Sequence, residues 1–115
     1  MTLCFYLLTY SVNPFTNLDS DKEKANKVRA KIADISHNDW NKSNNVETTF
    51  KGSFIVNGIT KEQKEAASKD FVKEQFVHIL REYDANCYDV KIECEMMISE
   101  IDLSFSFDVT WSRPI

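Results

Sequence analysis

The sequence predicts an α+β fold: a two-layer α/β sandwich in the order β-α-β-α-β-β, with a mostly antiparallel sheet and two helices on one face. The final third holds two runs of strict apolar–polar alternation. Two earlier stretches carry apolar residues at helical spacing, each behind a capping signal. The opening dozen residues are apolar at both parities. With 115 residues, 43% of them hydrophobic and 28% charged, the chain has the size and composition of a single domain.

In the opening strand, Leu3, Phe5 and Leu7 occupy one parity and Cys4, Tyr6, Leu8, Tyr10 and Val12 the other. Side chains alternate faces along a strand, so this one is expected to be central and covered on both sides. Asn13-Pro14 ends it, because proline cannot donate to a ladder. The stretch is too short for a membrane span and has neither a basic flank nor a cleavage site, so a soluble, unprocessed chain is expected.

Ser20 and Glu23 have the spacing of a capping box. Ala25, Val28, Ile32 and Ile35 follow as an apolar stripe, which predicts a helix over roughly Asp21 to Ile35. Its polar side carries Lys22, Lys24, Lys27, Arg29 and Lys31. A polar stretch containing His37 and Trp40 leads into the next strand, where Val46, Thr48, Phe50, Gly52, Phe54 and Val56 share a face. Parity is kept through Gly52, so the strand reads as unbroken. A turn at Lys51-Gly52 would give βαββαββ instead, a ferredoxin-like variant.

Thr60 and Gln63 form a second capping box, and the helix behind it runs to about Tyr83. Its stripe of Ala67, Phe71, Val72, Phe76, Ile79, Leu80 and Tyr83 suits packing on a sheet. The closing hairpin turns Tyr88, Val90, Ile92, Cys94, Met96 and Ile98 inward from its first strand. Ile101, Leu103, Phe105, Phe107, Val109 and Trp111 face inward from its second.

Reactive chemistry is sparse. His37 and His78 stand alone, the cysteines (Cys4, Cys87, Cys94) lack metal-ligand spacing, and no hydrolase elbow or H-E-x-x-H motif occurs. No catalytic residue, metal site or cofactor is expected. Charge distribution says more. Residues 1–81 hold 12 basic and 10 acidic side chains, whereas residues 82–115 hold 2 basic and 8 acidic ones, within a formal net charge of −4. Glu93, Glu95, Asp102 and Asp108 belong to the outward parity of the hairpin, so folding gathers them on the exposed side of the sheet.

The layout "FYLLTYSVN…KVRAKI…TTFKGSFIV" loosely resembles small ferredoxin-like bacterial proteins, among them the small spacer-acquisition nucleases of CRISPR systems. Those nucleases carry a metal-binding aspartate at the end of the first strand. The matching stretch here, Tyr10 to Asn13, has none.

The expected function is therefore that of a non-enzymatic, cytoplasmic interaction protein of bacterial or phage origin. An inhibitor or immunity-type protein would present the acidic face of Glu93, Glu95, Asp102 and Asp108 to a basic protein partner. Two alternatives belong to other classes: a small metal-dependent enzyme using the hairpin carboxylates, and a weak nucleic-acid binder using Lys24, Lys27 and Lys31. The acidic pI of about 5.1 argues against the last. The second apolar face of the first strand needs a cover: the Trp40 loop, the tail from Trp111, or another subunit in a homo-oligomer formed through the sheet. Trp40 is expected to close that side.

Overall fold

The computed structural model describes residues 2–35, 39–42, 48–99 and 104–114. His37, Val46, Ile101, Asp102 and Leu103 lie outside the described residues. The elements run β1 (Thr2–Pro14), α1 (Asp19–Ala33), β2 (Asn41–Lys42), β3 (Thr49–Val56), α2 (Lys61–Glu82), β4 (Val90–Ile98) and β5 (Phe105–Val109). They build an α+β fold with one five-stranded sheet in the order β2-β3-β1-β4-β5. Every neighbouring pair is antiparallel.

β1 is central, as its double parity requires. It pairs β3 from Thr2↔Val56 to Thr9↔Thr49 and β4 from Tyr6↔Ile98 to Pro14↔Val90. Cys4, Tyr6, Leu8, Tyr10 and Val12 are buried, together with Ala25, Val28 and Ile32 of α1 and Val72, Phe76, Ile79 and Leu80 of α2. Both helices thus cover one face. The expectation that β1 is covered on both sides is wrong: Leu3, Phe5 and Leu7 remain open to solvent. Two helices make one layer, and a layer covers one face.

α2 begins as its sequence requires. The Thr60 side chain accepts from the Gln63 N–H, and the Gln63 side chain accepts from the Thr60 N–H, a complete capping box. α1 does not begin as its sequence suggests. Its N-cap is Leu18, with no side-chain cap, and the helix starts before the Ser20–Glu23 pair. The buried Asp21 carboxylate instead accepts from the Thr16 N–H and hydroxyl, folding the preceding turn onto the helix. The Asp21 bonds fix the start where a cap otherwise would.

The polar stretch after α1 holds an element that propensity does not reveal. β2 is two residues long and pairs Asn41 with Lys51 and Lys42 with Phe50. Trp40, just before it, is 3% exposed. It stacks on Phe71 at 5.3 Å and meets Tyr6, Phe50 and Phe76 at 5.1–6.0 Å. All of these rings belong to the helix-side core, so Trp40 packs on the covered face and leaves the open one uncovered. β3 is continuous through Gly52, which rules out a turn there. A Cβ at Gly52 would lie 2.1 Å from the Asp39 carbonyl oxygen, so the missing side chain makes room for the backbone that delivers Trp40.

In the hairpin the inward set holds from Val90 to Ile98 and at Phe105 and Val109. Phe107 is only half-buried because β5 is the sheet edge. Tyr88, expected inward, precedes the strand and is 70% exposed, its ring edge-on to Phe15. Trp111 packs against the core beyond β5 and so does not reach the open face either.

Candidate interaction surface

The sheet face away from the helices is built by the cross-strand rows of β1. Leu3 lies opposite Ile55, and Phe5 opposite Ser53. Leu7 lies between Lys51 and Met97. Thr9 lies between Thr49 and Glu95, with Ser106 beyond Glu95. Ser11 lies opposite Glu93, and Glu93 opposite Asp108. Asn13 lies opposite Lys91. The face is therefore apolar at one end and acidic at the other.

At the apolar end, Leu3, Phe5, Leu7, Ile55 and Met97 are each 45–62% exposed. Together they expose on the order of 400 Å² of contiguous apolar surface, the size at which a patch on a folded protein is often functional. The end is closed by a reciprocal contact in which the Ser99 N–H donates to the Phe5 carbonyl and the Phe5 N–H donates to Ser99 Oγ.

At the acidic end, Glu93, Glu95 and Asp108 are exposed on adjacent rows. The Ser106 hydroxyl donates to the Glu95 carboxylate. Hydrogen bonds from Ser106 and Ser104 hold the Glu95 carboxyl below its usual range, so Glu95 remains an anion. Lys91 Nζ lies 3.1 Å from Glu93 Oε1, and its pKa is raised by the hydrogen bond and charge of Glu93 and by the charge of Asp108. One ammonium thus serves two carboxylates. A shallow depression between β1, β4 and β5 is lined by Thr9, Ser11, Glu93, Glu95, Ser106 and Asp108.

The structure thus brings together three of the four hairpin acids singled out in the sequence; Asp102 lies outside the described residues. Among the described residues, no three His, Cys, Asp or Glu side chains are grouped as metal ligands would be. His78 is exposed, with Arg81 3.2 Å from its Nδ1.

The basic residues of α1 do not act as one ridge. Lys24 Nζ is held 3.0 Å from the Asp89 carboxylate and donates to the Asp84 carbonyl at 2.9 Å. Arg29 donates to the Val12 carbonyl at 2.6 Å, tying α1 to β1. Lys27 and Lys31 are exposed. Among the described residues, no helix is long and apolar enough to cross a membrane.

What the sequence reading missed is that the apolar and acidic groups form one continuous surface. The odd parity of β1 was the available signal, since Leu3, Phe5 and Leu7 run directly into Thr9 and Ser11. Comparison with protein families, curated proteins and solved structures finds no match to this chain.

Proposed function

We propose that this chain is an interaction protein of the inhibitor or immunity type, acting by contact and not by catalysis. In this reading, Glu93, Glu95 and Asp108 meet a basic protein partner. One observation carries the reading: Glu93 stands directly opposite Asp108 on an exposed sheet face. Like charges opposite each other across a strand pair destabilise a sheet. A contact surface for a basic partner gives that arrangement a use, because the partner's cations add to the partial relief that Lys91 supplies. A reducing, cytoplasmic setting fits the unbridged thiols of Cys87 and Cys94.

The test is capture of basic proteins from bacterial lysate by the immobilised chain, compared with a variant carrying Glu93→Lys, Glu95→Lys and Asp108→Lys. The reading expects a set of basic proteins that is retained by the natural chain, released by salt and lost with the variant. The variant's circular dichroism should stay unchanged, because all three side chains are exposed. Equal capture by both chains would refute it.

A further inference from the structure

We infer that the apolar end of the open sheet face is the seam of a homodimer, and that a second copy of this chain is its occupant. This goes beyond the acidic contact and does not depend on it. Leu3, Phe5, Leu7, Ile55 and Met97 are exposed on three consecutive rows, while Trp40 and Trp111 both pack with the helix-side core. Neither tryptophan therefore covers the open face.

The pattern suits a copy of itself. A two-fold axis lying across the strands at the level of Phe5 sets Phe5 against Phe5. The same axis sets the row of Leu3 and Ile55 against the row of Leu7 and Lys51. Leu3 then meets Leu7, and the Lys51 stem lies over Ile55 with its ammonium at the rim. Sheets packed face to face in this way place their interdigitated side chains in one layer.

Charge sets the same orientation. The axis carries the Glu93, Glu95 and Asp108 ends of the two sheets to opposite sides of the seam. Turning one copy so that its strands run with those of the other would bring both acidic ends to one side, where they repel. The two acidic surfaces therefore point in opposite directions.

Area is consistent with a modest dimer. A standard interface buries about 800 Å² per partner, with an apolar centre and a polar rim. The exposed apolar side chains supply about half of that, and Lys51, Ser53, Ser99 and Thr9 stand around them as the rim.

Sedimentation equilibrium of the full chain tests this, over loading concentrations from about 1 µM to about 500 µM. The mass should rise with concentration from 13.4 kDa towards twice that value. Phe5→Lys places two ammonium groups on the axis and should weaken the dimer by at least about 30-fold. Its thermal unfolding should stay close to that of the natural chain, because Phe5 is exposed. Leu7→Lys should do the same. The Glu93→Lys, Glu95→Lys, Asp108→Lys variant should dimerise as the natural chain does, so failure of the seam and failure of the acidic contact are read separately. A natural chain that stays at 13.4 kDa throughout overturns the inference, as does a Phe5→Lys variant that still dimerises. A monomeric chain whose Phe5→Lys variant loses capture of basic proteins would assign the patch to that partner, and also overturns it.

Discussion

The Tyr6 hydroxyl donates a 2.6 Å hydrogen bond to the carbonyl oxygen of Asp39. That one bond joins the central strand to the backbone that carries Trp40 into the core. Tyr6 also sits edge-on to Trp40, Phe54 and Phe71, at 5.5–6.0 Å between ring centroids. Gly52, its cross-strand neighbour, leaves the space that the Asp39 carbonyl occupies. Three elements far apart in sequence thus meet at one point.

Gly52→Ala should destabilise the fold by about 1–3 kcal/mol, the range for overpacking a well-filled site. The added Cβ would lie 2.1 Å from the Asp39 carbonyl oxygen, and the obstacle is backbone that cannot simply rotate away. Urea denaturation followed by tryptophan fluorescence measures the loss. Stability equal to that of the natural chain would mean that Asp39 is not held against the sheet.

Tyr6→Phe keeps the ring contacts and removes the hydroxyl. The Asp39 carbonyl loses its donor, which should lower stability by about 0.5–1.5 kcal/mol. The Trp40 emission should shift to the red as its attachment loosens. An unchanged spectrum and midpoint would contradict the role given to this bond.

Stability should fall as pH rises above about 9. Burial, with the nearby Asp108 charge, raises the Cys94 thiol from 9.0 to about 12. Burial also raises the Tyr10 phenol from 10.0 to about 12, although Arg29 pulls the other way. The Tyr6 phenol is raised further, by burial and then by the Asp39 charge. Each group keeps its proton in the folded chain at a pH where the unfolded chain has lost it. The stabilisation is thus complete below the unfolded values and lost as pH climbs through the folded ones. Melting temperatures between pH 7 and pH 11 should decline first near 9, and Cys94→Ala should delay that onset towards 10. A flat profile to pH 11 would contradict the burial of these groups.

Much of this fold was legible because strict periodicity leaves few ways to pack. The alternation from Val90 to Val109 yields the hairpin, and Thr60 with Gln63 marks the start of α2. The double parity of β1 placed it correctly at the centre of the sheet. The same parity misled about cover, since it states that Leu3, Phe5 and Leu7 are apolar but not that anything lies over them. Ser20 and Glu23 have the spacing of a cap, yet the competing bonds between Thr16 and Asp21 win because Asp21 is buried. The face on which Trp40 packs, and the strand β2, were hidden for a different reason. Their positions depend on Gly52 and Tyr6, which are distant in sequence, and no local pattern records such a contact. At the surface site, the shared face of Glu93, Glu95 and Asp108 was readable from parity, whereas their continuity with the apolar patch required the register of four strands.

Asp108→Asn should leave the melting temperature unchanged or raise it slightly, because it removes one of two carboxylates facing each other across β4 and β5. The same substitution should weaken capture of basic proteins. Loss on capture without loss of stability is the signature of a contact residue. A clear fall in stability would instead give Asp108 a structural role through Lys91, whose ammonium it helps to keep charged.

The proposed function puts a basic partner on the acidic end of the open sheet face. Carbodiimide labelling of carboxylates, read residue by residue by mass spectrometry, locates that contact. The chain is labelled alone and again while bound to the basic proteins it retains. Glu93, Glu95 and Asp108 should react freely in the first case and be protected in the second, while Asp19, Glu23 and Asp70, away from the open face, react equally in both. Protection of the helix acids with Glu93, Glu95 and Asp108 still reactive would contradict the account.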